Sequence, residues 1–213
     1  MSTFAQLKTN VLSNLDDAGS TFYSSTELQN SFQDAYDDII ARSMSIVKKT
    51  TLSWVAYDGF PAFKSAPYSV TDYMATLAIF DNVTHRWLID GLSIRDFLKF
   101  RPDWELTIAS PIYWAPKNTD RISIYPKYGS AAGTFDLYYA AMAPTVVDAD
   151  TPLIQADKQC LLEQYCTADL LETAEEFVKA NHYWKQYFDP DGGIDAYAQR
   201  LKNIAKSDLI TLA

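Results

Sequence analysis

Residues 24–54 read SSTELQNSFQDAYDDIIARSMSIVKKTTLSW, and the hydrophobic period changes within them. Ser24 followed three residues later by Glu27 is a capping box: the hydroxyl takes the Glu27 amide and the carboxylate reaches back to the Ser24 amide. A helix therefore starts here. Leu28, Phe32, Ala35, Tyr36, Ile39 and Ile40 recur at helical spacing, while Asp34, Asp37 and Asp38 fall on the opposite face. Carboxylates on such a face are read as solvated, not as a metal site. From 50 to 147 the period becomes two, and seven of the 9 Pro fall in that block, which marks it as β-rich.

Working outward, Phe4, Leu7, Val11 and Leu15 predict a short amphipathic helix that ends near Gly19, a residue able to take the left-handed cap. Inside the β block, Ile122 and Ile124 alternate in one strand and Phe135, Leu137 and Tyr139 in another. Lys117-Asn118-Thr119-Asp120 supplies a polar hairpin turn before the first of these. Further strands are expected near 52–57, 77–80 and 86–89. After Pro152 the helical period returns: Leu162, Cys166, Leu170, Ala174 and Phe177 form one stripe, widened by Leu161 and Tyr165, and predict a long, mostly buried helix. The pattern leaves open whether 157–188 is one helix or two. Pro190, Gly192 and Gly193 interrupt it, and a last helix carries Ile194, Tyr197, Leu201 and Ile204.

The expected architecture is α+β: a helical bundle of about four to five helices interrupted by an antiparallel β-sandwich or barrel-like block. Residues 1–48 and 152–206 make a discontinuous helical core, 49–151 the β-rich insert, and 207–213 a short C-terminal tail. With 48% hydrophobic residues and only 7 Gly, the composition is that of a folded chain. A formal charge of -9 and pI near 4.6 argue against a surface that gathers nucleic acid by neutralising phosphates. Cys160 and Cys166, six apart on a helix, are not placed to bridge. The Met1-Ser2-Thr3-Phe4-Ala5-Gln6 start lacks a basic and apolar leader, and no apolar run is long enough to span a membrane, so cytoplasmic synthesis without membrane insertion is expected.

Raw material for catalysis is thin. His85 and His182 stand about a hundred residues apart without ligand-spaced partners, and no phosphate loop, nucleophile elbow, His-Glu-x-x-His or Cys-x-x-Cys motif occurs. Asp189-x-Asp191-Gly192-Gly193 lacks the remaining oxygen ligands of a calcium loop, and Glu172, Glu175 and Glu176 lack the histidines of a di-metal bundle. No enzyme activity, cofactor or metal is expected. Aromatic residues are the more unusual feature, with four of the 5 Trp in the β block. Core packing explains most of them; a protein interface or a sugar-stacking platform are the other uses.

The order of several short motifs resembles tailed-bacteriophage head-to-tail connector adaptor (head-completion) proteins. Phe22-Tyr23-Ser24-Ser25-Thr26-Glu27-Leu28 is similar to their second helix start. Arg101-Pro102-Asp103-Trp104, Ser110-Pro111-x-Tyr113, Ile122-Ser123-Ile124-Tyr125-Pro126, Gly133-Thr134-Phe135 and Tyr138-Tyr139 up to Ala143-Pro144 are similar to their β insert. The helix around Cys160-Leu161-Leu162-Glu163-Gln164-Tyr165-Cys166 comes next in the matching place. The resemblance spans roughly residues 3–205 and implies a structural ring subunit in the virion, in a ring of about twelve copies, a heterologous assembly. It implies as partners the portal protein, tail or tail-hub proteins, sister copies and passing double-stranded DNA that is not specifically bound, with no membrane. On this reading Leu209, Ile210, Leu212, Tyr183, Trp184 and Tyr187 meet the portal or a neighbour, and Glu172, Glu175 and Glu176 line the DNA channel. The alternative is a carbohydrate- or receptor-binding β module of a phage tail.

Overall fold

A computed structural model describes residues 1–54, 70–90, 109–118, 121–126 and 133–211. The Arg101-Pro102-Asp103-Trp104 motif, the tip of the 117–120 turn and Leu212 lie outside the described residues. The chain divides into two compact units, Met1–Ile46 with Met142–Leu212, and Val47–Ala141. The fold is α+β, as expected.

In the helical unit, α1 (Phe4–Asn14) opens on a capping box between Thr3 and Gln6. The Ser24–Glu27 box starts α2 (Ser25–Ser43), whose side Leu28, Phe32, Ala35, Tyr36, Ile39 and Ile40 is buried. Phe4 stands edge-on to Tyr36, with ring centroids 5.4 Å apart. Three helices come after the β unit: α3 (Cys160–Thr173), α4 (Phe177–Tyr187) and α5 (Ile194–Thr211). Helix α3 packs on α1, α2 and α4, and α5 packs on α2.

Segment 142–151, which periodicity assigns to the β insert, packs with the helices. Its carbonyls take the first free amides of α1, Phe4 N–H to Asp150 O at 2.9 Å and Ala5 N–H to Asp148 O at 3.1 Å. Val146, buried at 3% exposure, donates its amide to Gln33 Oε1 at 2.8 Å. These bonds join sequence positions more than a hundred residues apart, so no local pattern announces them.

Helix ends depart from the expected positions. Gly19 does not end α1; Asp16 does, at φ 56°, with Asp16 N–H to Ser13 O and Asp17 N–H to Leu12 O. That pair of bonds is a Schellman motif built without glycine. The long helix expected after Pro152 is two helices, because Glu175 takes φ 61° and the same bonds recur, Glu175 N–H to Glu172 O and Glu176 N–H to Leu171 O. Ala174 and Phe177, read as core, are thereby exposed. Gly193 does what its residue type suggests: a Cβ there would lie 2.3 Å from the Tyr187 carbonyl oxygen, so only glycine lets the chain turn against the end of α4. Residues 207–211, expected as a tail, continue α5.

The β unit contains two sheets. The first, in order β1 (Val47–Trp54), β7 (Gly133–Ala141), β2 (Tyr73–Asp81), β3 (Arg86–Trp87), is antiparallel. In the second, β4 (Ile89–Asp90) pairs parallel with β5 (Tyr113–Asn118), which pairs antiparallel with β6 (Arg121–Tyr125). The expected alternation holds: Ile122 and Ile124 are buried, as are Phe135, Leu137 and Tyr139. His85 lies in the turn between β2 and β3 at φ 53°, not within a strand.

Glu175 bears the conformational penalty of a residue with a Cβ in left-handed space, a strain of about 1 kcal/mol that glycine removes. Glu175→Gly is therefore expected to raise Tm by about 3 °C, whereas Glu175→Ala leaves it nearly unchanged; differential scanning calorimetry checks both.

Candidate functional site

The chain reversal between α3 and α4 gathers the residues of interest in the helical unit. Glu172 lies in the last turn of α3, Glu175 is the left-handed residue, and Glu176 precedes α4. Two of these carboxylates already have partners: Glu172 Oε1 accepts the Trp184 indole N–H at 2.8 Å, and Glu176 Oε2 pairs with Lys179 Nζ at 2.5 Å. Phe177 and Val178 come immediately after and stand 62% and 89% exposed. Sequence reasoning marks neither as a surface residue, although an apolar pair directly after three acids is the available signal.

The loop between α1 and α2 is organised by one carboxylate. Asp17 is buried, and its carboxylate accepts the amides of Thr21 at 2.8 Å and of Phe22 and Tyr23 at 3.0 Å. The Tyr23 and Thr21 amides, with that of Phe22, hold the Asp17 carboxyl below its ordinary value of 3.8. Burial raises the Tyr23 phenol above its ordinary value, and the charge of Glu176 raises it further. Phe22, at the loop's crest, is 90% exposed. Phe22, Phe177 and Val178 thus stand in water, large apolar side chains of the kind that a protein contact covers.

Behind the reversal lies an aromatic layer. Tyr165 meets Trp184 edge-on at 5.0 Å and Tyr187 at 5.4 Å, and Trp184 stacks on Phe188 at 5.9 Å. The Tyr187 hydroxyl donates to Asp38 Oδ2 at 2.6 Å, Arg42 Nε donates to the same carboxylate at 2.8 Å, and the Arg42 guanidinium lies over the Phe188 ring at 5.5 Å. Burial and this bond to a carboxylate together push the Tyr187 phenol far up. Asp38, assigned from sequence to the solvated face, is in fact a structural acceptor that ties α2 to α4.

These positions sort the residues expected at an interface. Tyr187 is fully buried and offers no side chain to a partner, while Tyr183 and Trp184 are half-buried. Leu209 and Ile210 stand on α5. His182 is exposed on α4 beside Gln186, and Cys160 and Cys166 are free thiols. Among the described residues, no group of three or more His, Cys, Asp or Glu is arranged to hold a metal ion, and no helix is long and apolar enough to cross a membrane. In the β unit, Tyr73, Trp114, Phe135 and Tyr139 are core.

The chain belongs to the SU10 adaptor protein family, whose profile matches residues 2–208. This is a phage head-tail adaptor family, so the protein is a virion component that contacts other head and tail components. A comparison with curated proteins found no match.

The bonds that shape this end lead to two expected outcomes. The depressed Asp17 carboxyl stabilises the fold fully above its unfolded value near 3.8, and that contribution is lost as pH falls through the lower folded value. In an NMR titration the Thr21, Phe22 and Tyr23 amide shifts should move together with a midpoint below 3.8; a midpoint at or above it contradicts the assignment. Tyr187→Phe leaves Asp38 without its buried donor and should lower unfolding free energy by about 2 kcal/mol, read from urea denaturation.

Proposed function

We propose that the protein is one subunit of a closed ring of about twelve copies that joins the portal to the tail and continues the path of the DNA. The observation that carries this reading is family membership over residues 2–208. The exposed Phe22, Phe177 and Val178 are its physical counterpart, since a lone monomer gains nothing by holding them in water. A ring of repeated head-to-tail contacts needs two different complementary surfaces on each copy, with closure set by their angle.

Double-stranded DNA passes through such a ring without being bound, and a subunit charge of -9 suits that task because it gives phosphates no cationic surface to settle on. The C-terminal residues Leu209, Ile210 and Leu212 contact the portal, and Tyr183 and Trp184 border the contact. The β unit serves the tail side. No step in this role requires turnover.

Mass photometry of the purified chain with and without the cognate portal ring tests the reading. Portal particles should gain the mass of a full ring of adaptor copies, while the chain alone stays small. A chain that leaves the portal mass unchanged at micromolar concentration contradicts it.

A further inference from the structure

Phe22 is held out from the helical unit by a loop with a fixed crest. The buried Asp17 carboxylate takes the amides of Thr21, Phe22 and Tyr23, and the Ser20 amide donates to the Asp17 carbonyl oxygen at 2.8 Å. The ring that this loop lifts is 90% exposed. An aromatic side chain presented in this way gains only when another apolar surface takes it out of water.

A recess of matching chemistry lies in the same unit. Pro152, Leu153 and Ile154 line it from one side and Tyr197 and Leu201 of α5 from the other, around an open space of about 520 Å³. The Leu153 amide donates to the Tyr36 hydroxyl at 2.8 Å, which ties this wall to α2, while the Leu153 side chain stands 58% exposed. Ile154 and Tyr197 are buried, so the recess is set in the packed core of the unit. Phe22 and the recess lie at opposite ends of α2: Phe22 precedes the Ser24 cap, and Ser45, which also lines the recess, follows the last turn. With 19 residues, α2 is about 28 Å long, more than a side chain bridges, so no copy fills its own recess with its own Phe22.

We infer that Phe22 of one copy enters the recess between segment 151–155 and α5 of the next copy. The inference rests on the ring reading above and assigns the two unlike surfaces that such a ring requires. An apolar protrusion and an apolar pocket at different places on one subunit generate head-to-tail contacts, and around a closed ring every protrusion and every pocket is used. The recess has room for one aromatic side chain, and Leu153 loses its exposure against the incoming ring.

Photo-cross-linking tests it. The full chain with p-azidophenylalanine in place of Phe22 keeps the aromatic protrusion; assembled on the portal ring and illuminated, it should give a ladder of covalent multimers. Mass spectrometry should place the links on residues 151–155 or 197–201 of another copy. Phe22→Ser, at a side chain already in water, should weaken assembly on the portal at least about tenfold while leaving Tm unmoved. Full-ring mass on the portal with links to the portal, to other segments of a sister copy, or with no links at all overturns the contact but leaves the ring reading standing. Phe22→Ser chains that assemble like the unaltered protein do the same. Failure of the unaltered chain to add mass to the portal overturns both.

Discussion

β1 and β7 are hydrogen-bonded neighbours in continuous register, from Val47 opposite Ala140 to Trp54 opposite Gly133. This pairing is the constraint on which the discontinuous helical unit depends. The β unit interrupts that unit between Ile46 and Met142, and closing a loop of its length costs about 4 kcal/mol in chain entropy plus a constant. The cost is met inside the β unit, because its first and last strands hold each other. Segment 142–151 then delivers carbonyls to the N-terminus of α1 and Val146 to α2, and the second set of helices can pack on the first.

Polar groups do the joining where the helices meet. Asp38 takes Tyr187 and Arg42, Asp17 takes three amides, and in the β unit Asp136 takes Lys49 at 2.6 Å and Thr51 at 2.7 Å. Burial pushes the Asp136 carboxyl up, yet the bonds from Lys49, Thr51 and Asn82 outweigh it and hold it below its ordinary value. Each acid is a fixed acceptor that holds the elements it bridges in one arrangement. An acidic chain can thus spend some of its carboxylates on rigidity while others stay in water.

Much of this fold is legible in the residues. The Ser24–Glu27 box, the stripe of α2 and the alternation at Ile122–Ile124 and Phe135–Tyr139 are local patterns, and local hydrogen bonding and burial obey them. The break at Glu175 is not, because a Schellman turn usually advertises itself by glycine and here a glutamate occupies the left-handed position. The same holds for Asp16 standing in for Gly19. Tyr187 shows a second kind of illegibility: an aromatic cluster says that rings gather, not which ring faces inward, and only the long-range Asp38 acceptor decides it. The exposed pair Phe177 and Val178 is half visible, since the acids before it can be read from sequence but Phe177 falls on a core stripe drawn along a helix that stops before reaching it.

For function, we propose that the helical unit takes the leading part, with the exposed Phe22, Phe177 and Val178 and the end of α5 as the surfaces it offers to other head and tail components. Hydrogen–deuterium exchange of the protein free and assembled on a portal ring addresses that claim most directly. Slowed exchange in 19–24, 172–179 and 196–211 on assembly is the predicted result. Slowing confined to 47–141, with those three segments unchanged, would contradict it.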